Sequence, residues 1–182
     1  FILPEGGYHN AGELISAVCK HSDFGIGAAG YPEGHVENPD KDDDRKHLHG
    51  KIAAGAEFIV TQFFLDNTFF LRWRDKLREE GANLPLVAGI LPPANWKATK
   101  RMSEMCGVSI PQDLAKALLK HENDPEASKE IGLVHVEKQI TGLLQEGVEG
   151  VHLYALNNLE TVKRLGPKLR EAAGTSPAYS AD

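Results

Sequence analysis

The chain contains 182 residues and carries a formal net charge of −6; 41% of its residues are hydrophobic and 25% are charged. This composition predicts one globular domain with a packed core, and it excludes the low hydrophobicity and high charge of a disordered protein. The acidic excess argues against a general nucleic-acid surface and against an anionic-membrane surface, because both require a basic excess.

Alternating strands and helices are predicted along the chain. In chain order we predict a helix at 12–20, a strand at 24–30, a helix at 43–54, a strand at 58–64, a helix at 68–80, a strand at 86–91, helices at 96–105, 112–121 and 126–146, a strand at 151–156 and a helix at 159–172. The strand segments are almost continuously apolar, which is typical of strands buried on both faces of a parallel sheet. Gly55, Gly81 and Gly147 each end a helix just before a strand, as C-cap glycines do.

The repeated order of helix, glycine, loop and strand indicates βα units. We therefore predict an α/β fold of the (β/α)8 TIM-barrel type, of which this chain carries about the last four strands, since a closed barrel needs eight. A helical insertion is expected at about 92–147, because three helices are predicted where one would connect the strands. We expect residues 1–173 to form the C-terminal half of one barrel domain and residues 174–182 to form a flexible tail.

The sequence also carries information on cellular compartment. Cys19 and Cys106 lie far apart in stretches of helical apolar spacing, which indicates neither a disulfide framework nor a cysteine zinc site. No apolar run reaches the roughly 18 to 20 residues of a membrane span, and no signal segment is present, so we expect a cytoplasmic protein without membrane partners. Because the chain begins at Phe1 rather than at a methionine, we also expect further residues upstream.

Polar residues follow the predicted strands, at the edge where ligands bind in parallel β/α folds. Tyr31 and His35 lie in a turn that can present an aromatic face and an imidazole to a planar ligand; the alternative is an ordinary strand-to-helix turn. Gln62 interrupts a strongly apolar strand. An unpaired buried amide costs roughly 2 to 7 kcal/mol, so a ligand or a polar network at the mouth is the favoured partner. Pairing with a side chain of a neighbouring strand is the alternative.

The polar segment 37–49 allows more than one interpretation. Asp44, His47 and Lys51 are spaced to share one helix face, and their mixed charges suit a nucleotide-bearing cofactor. The carboxylates and histidines of residues 40–49 could instead bind a divalent metal or favour the start of a helix; we expect no metal. Dinucleotide-binding G-x-G-x-x-G, Walker and G-x-S-x-G motifs are absent, which disfavours Rossmann binding, nucleotide hydrolysis and serine hydrolase chemistry.

Three blocks of the sequence resemble the methylenetetrahydrofolate reductase family: residues 28–37 (AAGYPEGHVE), 51–66 (KIAAGAEFIVTQFFLD) and 89–92 (GILP). The resemblance extends over about residues 8–166. It implies an FAD-containing (β/α)8 barrel of one-carbon metabolism and methionine biosynthesis. NAD(P)H reduces the flavin, and the flavin passes a hydride to 5,10-methylenetetrahydrofolate to give 5-methyltetrahydrofolate. Folate is the implied small-molecule partner, and self-association into a homo-oligomer is left open.

The resemblance also implies roles for individual residues. The implied FAD contacts are Tyr31, His35, Asp44 and Lys51, with Tyr8 and His47 as weaker candidates. Gln62 would be the catalytic residue that meets the folate and the nicotinamide in turn at the flavin face, and Tyr154 and Asn158 would line the substrate site.

Three positions depart from the family pattern. Asn158 stands where an arginine commonly meets the glutamate tail of the folate, and an asparagine cannot form the same bidentate pair. Ala98 and Met102 replace a glutamine and a phenylalanine on the helices that cover the substrate. The family's general acid lies on strands that precede this sequence, so we expect the 182 residues alone not to turn over. Two alternatives are a non-catalytic half-barrel that needs a complementing chain and a metal-dependent barrel lyase that uses residues 40–49.

Overall fold

A computed structural model describes residues 5–38 and 40–175. Its elements are, in chain order, α1 (Ala11–His21), β1 (Gly27–Gly30), α2 (Lys41–Ala53), β2 (Phe58–Thr61), α3 (Asn67–Glu79), β3 (Leu86–Ile90), α4 (Trp96–Cys106), α5 (Gln112–Lys120), α6 (Pro125–Gln145), β4 (Gly150–Leu153) and α7 (Leu159–Thr175). Every helix begins within two residues of its predicted start. Residues 174–175 continue α7, and the rest of the predicted tail lies outside the described residues.

The strands form one parallel sheet in the order β1-β2-β3-β4. The register pairs Gly27 with Phe58, Ile59 with Leu86, and Val87 with Gly150. Each strand is thus the parallel neighbour of the next one along the chain, and helices make the connections, as in a β/α barrel. The predicted α/β fold of TIM-barrel type is therefore confirmed, with four strands in the described residues.

All four strands are shorter than predicted, and β1 and β2 are each shorter by three residues. Strand β1 begins at Gly27 rather than at residue 24, and Phe24 before it is 71% exposed. The ring of Phe58 occupies the space beside Gly27, where an added Cβ would lie 2.5 Å from it. Strand β2 ends at Thr61, because the chain beyond leaves the ladder and buries Phe64 in the core ahead of α3.

Short polar side chains begin most of the helices. The caps of α1, α2, α3, α4 and α6 are Asn10, Asp40, Asp66, Asn95 and Asp124, and each accepts a hydrogen bond from a backbone N–H in the first turn. Such caps satisfy N–H groups that have no partner within the helix. Helices α2, α3 and α4 follow β1, β2 and β3, so their N-termini place polar groups at the edge of the sheet where ligands bind.

Two apolar clusters form the core. The larger cluster joins the sheet to α3 and α6 through buried side chains such as Ile59, Leu86 and Ile140. The smaller cluster connects the residues after β2 to α5 through Phe63 and Leu118. Three helices, α4 to α6, lie between β3 and β4, and α6 packs against α3, α5 and α7. Like the other helices of the described residues, the 21-residue α6 is not both long and apolar enough to cross a membrane.

Candidate active site

The residues that follow the strands lie at one edge of the sheet, because all four strands are parallel. Tyr31 follows β1, Gln62 follows β2 and Tyr154 follows β4. The Tyr154 hydroxyl donates to the carbonyl oxygen of Thr61 (3.0 Å), so its side chain reaches across β3 to the residue before Gln62. Gly89 permits this approach, since a Cβ there would lie 2.1 Å from the Thr61 oxygen and 2.9 Å from the Tyr154 ring. The structure therefore places Tyr154 against the backbone of the residue that precedes Gln62.

A cavity of about 1370 Å³ lies between α1, α2 and the turn after β1. It is lined by all six residues for which FAD contact is predicted: Tyr8, Tyr31, His35, Asp44, His47 and Lys51. We call the space that these six residues line the cofactor cavity. Its volume exceeds the roughly 300 to 1,000 Å³ of most ligand pockets, so it has room for an extended ligand.

Lys51 extends from α2 to the end of β1. Its Nζ donates to the carbonyl oxygen of Ala29 (2.9 Å) and lies 5.4 Å from the centre of the Tyr31 ring, within the range of a cation–π contact. Burial lowers the pKa of Lys51, and the nearby Asp44 carboxylate opposes this change. An ammonium group has three N–H donors, so two remain that can serve an anionic ligand.

Aromatic and acidic groups stand beside Lys51. The rings of Tyr31 and His35 meet edge to face with their centroids 4.7 Å apart, because a turn closed by a bond from the Gly34 N–H to the Tyr31 carbonyl folds the chain back. Burial raises the pKa of Tyr31, so the phenol stays neutral at physiological pH. Burial also raises the pKa of Asp44, while Lys51 and His35 oppose this rise. The cavity thus combines an aromatic face, a cation and a partly desolvated carboxylate.

Tyr8 and His47 are the more exposed members of the cofactor cavity. Tyr8 is 51% exposed, and His47 Nε2 lies 3.3 Å from a carboxylate oxygen of Asp43. Helix α1 also contributes Glu13 and Lys20 to the lining, and neither residue was predicted as a contact. The signal was present in the sequence, because residues seven apart lie on one face of a helix.

Gln62 is half-buried, whereas the apolar segment around it predicted a buried amide. The strand ends at Thr61, and Gln62 stands in the turn beyond it. Its backbone N–H donates to the carbonyl of Gly30 (2.8 Å), and its Oε1 accepts from the backbone N–H of Phe63 (3.0 Å). The amide oxygen therefore has a local backbone partner rather than a side chain of a neighbouring strand. Within the described part of the chain Nε2 makes no hydrogen bond, so it can donate to a ligand at this edge.

Tyr154 and Asn158 bound the turn after β4. Between them, Leu156 and Asn157 have positive φ angles of 47° and 61°, a left-handed conformation that leucine rarely adopts. This turn ends β4 at Leu153, earlier than the predicted residue 156. Asn158 is exposed, and its Oδ1 accepts from the backbone N–H of Thr161 in the first turn of α7 (3.1 Å). The folate contact of Asn158 stays a prediction, and in this structure its side chain caps a helix.

A small apolar pocket of about 90 Å³ lies beside the ends of β2 and β3. Ala98 and Met102 of α4 line it together with Phe63, Leu91 and Leu156. Two of the departures from the family pattern therefore reach the same place, next to the residue that follows Gln62. These five side chains are apolar, so the pocket suits an apolar portion of a ligand rather than a charged one.

The acidic segment at the start of α2 is engaged in capping and ion pairs. Asp40 accepts hydrogen bonds from backbone N–H groups of the first turn. Asp42 pairs with Arg45 (2.5 Å), and His49 pairs with Glu80 (3.0 Å). Among the residues that the structure describes, no group of three or more His, Cys, Asp or Glu side chains is arranged to hold a metal ion. The geometry favours the helix-start interpretation of this segment.

Comparison with known proteins identifies one family. The family model described as methylenetetrahydrofolate reductase matches residues 1–169. The chain belongs to the methylenetetrahydrofolate reductase family. Methylenetetrahydrofolate reductase 1 of Schizosaccharomyces pombe is 36% identical over 167 residues, which cover 91% of this chain and 28% of that relative. The 5,10-methylenetetrahydrofolate reductase of Escherichia coli K12 is 35% identical over 150 residues, which cover 82% of this chain and 51% of that relative. The family resemblance predicted from the sequence is thereby confirmed.

The chain thus spans between about a quarter and about half of the length of these two reductases. A solved structure resembles it with a TM-score of 0.54 at 16% identity, over 87% of this chain and 57% of the other. That structure is of an uncharacterized protein from Clostridium thermocellum that binds two copies of 5-methyl-5,6,7,8-tetrahydrofolic acid. At this identity the likeness supports the fold of this member of the reductase family.

Proposed function

We propose that this protein is a flavin-dependent methylenetetrahydrofolate reductase that reduces 5,10-methylenetetrahydrofolate to 5-methyltetrahydrofolate with NAD(P)H. The observation that carries the proposal is the cofactor cavity, because one cavity is lined by all six residues that the resemblance implies for FAD. These residues come from three separate segments of the chain, so sequence proximity alone does not account for their meeting. Membership of the reductase family supports the same reaction.

The residues of the cofactor cavity fit FAD. The two remaining donors of Lys51 suit a phosphate oxygen, the Asp44 carboxylate suits ribose hydroxyl groups, and Tyr31 offers a ring face to an aromatic system. Partial burial of Lys51 and Asp44 strengthens such contacts, because charge interactions grow as the local dielectric constant falls.

Bound FAD would supply the redox chemistry, taking a hydride from NAD(P)H and giving one to the folate. The chain's own residues hold and orient the reactants. Gln62 offers a donor at Nε2 and an acceptor at Oε1, and we propose that it orients the nicotinamide and the folate in turn. An amide does not exchange protons with a substrate near neutral pH. The family resemblance assigns the general acid to strands that precede β1 in the family.

Flavin binding by the full-length natural protein tests this proposal. We expect flavin absorbance in the purified protein and a Lys51→Met variant that binds FAD roughly 10-fold to 100-fold more weakly, since a hydrogen bond to a charged group contributes about 1.5 to 3 kcal/mol. The control is Lys100→Met, because Lys100 is an exposed lysine of α4 that pairs with Glu104. Equal affinities in the two variants would exclude Lys51 from the flavin site, and a protein that binds no FAD would overturn the proposal.

A half-barrel that assembles with a complementing chain is a second candidate. In the described sheet, β1 and β4 each have one neighbouring strand, and proteins normally pair or cover such edges. Sedimentation of the 182-residue chain separates the candidates. A stable monomer would count against the need for a partner, and a defined dimer would favour it.

A further inference from the structure

Helix α6 holds the chain just beyond β2. Gln139 Nε2 donates to the carbonyl oxygen of Phe64 (3.1 Å), and His135 Nε2 donates to the carbonyl oxygen of Leu65 (2.9 Å). The two residues lie four apart and therefore share one face of α6. A carbonyl oxygen only accepts, so His135 carries a proton on Nε2. Burial lowers the pKa of His135 and favours the neutral ring.

Asn67 completes this contact. Its Nδ2 donates to the backbone carbonyl of Gln139 (2.9 Å), and its Oδ1 accepts from Gln139 Nε2 (3.3 Å). Gln139 is 5% exposed and Phe64 is fully buried, so water cannot replace these hydrogen bonds if they break. The contact between α6 and the residues after β2 is therefore a fixed attachment.

The same face of α6 touches the chain beyond β3. A Cβ added to Gly132 would lie 1.8 Å from the carbonyl oxygen of Pro93 and 2.8 Å from its carbonyl carbon, so this approach requires a glycine. Gly132, His135 and Gln139 lie at positions i, i+3 and i+7 of the helix. One face of one helix thus contacts the chain just beyond two adjacent strands of the candidate site.

We infer that helix α6 positions Gln62, with Gln139 and His135 as positioning residues, and this inference rests on the function proposed above for Gln62. The backbone N–H of Gln62 is bonded to Gly30 at the end of β1 (2.8 Å), and the chain two residues later is bonded to α6. Gln62 is therefore held from both sides and cannot shift along the sheet edge without breaking one of these bonds. A misplacement of about 1 Å can reduce an enzymatic rate by roughly 100-fold.

The Gln139→Met variant of the full-length natural protein tests the inference, because methionine keeps the side-chain length and removes the amide. Hydrogen exchange of the backbone amides of residues 62–67 is the first readout, since it requires no activity. The control is Thr141→Ala, which removes an exposed hydrogen bond from Thr141 Oγ1 to the Glu137 carbonyl on the same helix (2.8 Å). We expect exchange to rise by roughly 10-fold in Gln139→Met and to stay unchanged in the control.

The second readout is the pair of half-reactions, flavin reduction by NADH or NADPH and flavin reoxidation by 5,10-methylenetetrahydrofolate. In Gln139→Met we expect both to slow by about 10-fold or more while the affinity for FAD is retained. We expect His135→Leu to act in the same way. We expect His135→Gln to recover most of both rates, because glutamine can place an N–H donor near the position of Nε2.

The outcomes separate the inference from the function on which it rests. If backbone hydrogen exchange over residues 62–67 is unchanged in Gln139→Met, α6 does not hold the chain beyond β2. Faster exchange together with unaltered half-reaction rates overturns the positioning of Gln62. If the unaltered protein binds no FAD, the proposed function fails, and the exchange measurement still decides whether α6 holds this segment.

Discussion

The cofactor cavity beyond β1 and the chain held by α6 beyond β2 are built in opposite ways. In the cavity, polar groups retain hydrogen-bonding positions for a ligand. Lys51 donates one of its three N–H groups to the protein, and Tyr8 is half exposed. Beyond β2, the carbonyls of Phe64 and Leu65 are already bonded to α6. The cavity therefore has polar groups left for a ligand, whereas the carbonyls beyond β2 have their partners within the protein. We expect the cofactor cavity to set the affinity for FAD and the chain held by α6 to set the position of Gln62.

This contrast predicts where substitutions act. Substitutions in the cofactor cavity should alter the affinity for FAD with little effect on the free energy of unfolding, because those side chains make few contacts within the protein. Changes along the α6 face should alter local stability and reaction rates with little effect on FAD affinity. Lys51→Met and Gln139→Met represent the two classes.

The largest effect on stability is expected from Gly89→Ala, within the sheet. A Cβ at this position would lie 2.1 Å from the backbone oxygen of Thr61, and a backbone atom cannot move aside as a flexible side chain can. We expect the free energy of unfolding to fall by about 3 kcal/mol or more, at or above the upper end for overpacked cores. Urea denaturation measures this change.

Gly150→Ala is the matched control for that prediction. Gly150 lies on the neighbouring strand β4, and a Cβ there would meet the Val87 side chain at an ordinary 3.6 Å. We expect a change within about 1 kcal/mol. If Gly89→Ala and Gly150→Ala lose equal amounts of unfolding free energy, the close approach at Gly89 is contradicted. The tight packing of this part of the sheet would be contradicted with it.

A smaller effect is expected from the titration of His135. Burial lowers its pKa in the folded protein, Lys138 acts in the same direction, and Asp66 and the Leu65 carbonyl oppose the change. As the pH falls, the unfolded chain binds a proton first, near its ordinary pKa of about 6.5. The stability that His135 contributes is therefore full above that pH and is lost as the pH falls toward the lower folded pKa.

Urea denaturation at a series of pH values checks this expectation. The unaltered protein should lose stability more steeply below about pH 6.5 than His135→Gln, whose side chain does not titrate. If the free energy of unfolding falls equally steeply with pH in the two proteins, groups other than His135 cause the acid sensitivity. That result would count against an attachment of α6 through a neutral imidazole.

The element order could be predicted from local spacing in the sequence, whereas the six residues of the cofactor cavity could be predicted only through the family resemblance. Asp44, His47 and Lys51 lie on one helical segment, and the family blocks fix Tyr31 and His35. The end of β2 could not be predicted in the same way. Its apolar composition continues through residues 63–65, although the ladder stops at Thr61. Composition reports burial, and burial continues in the turn after the hydrogen-bonded strand has ended.

The attachment of α6 was also beyond prediction from the sequence. Gln139 bonds to Phe64, which lies 75 residues earlier in the chain, and helical periodicity says only which face of α6 is buried. The close approach of Gly132 to Pro93 depends in the same way on tertiary packing. Residues that complete a site through distant contacts therefore require the structure, whereas residues grouped within one segment do not.

The smallest expected effect is that of Tyr31→Phe on FAD affinity. The substitution removes the hydroxyl and keeps the ring beside Lys51 (5.4 Å) and His35 (4.7 Å). We expect little change, whereas Tyr31→Ala should weaken binding by about threefold to 10-fold, since aromatic and cation–π contacts contribute roughly 0.5 to 1.5 kcal/mol. Fluorescence titration with FAD measures both. An equal loss in the two variants would mean that the hydroxyl carries the contact. The cofactor cavity would then depend on directed hydrogen bonds, as the α6 attachment does, and the contrast between the two regions would narrow.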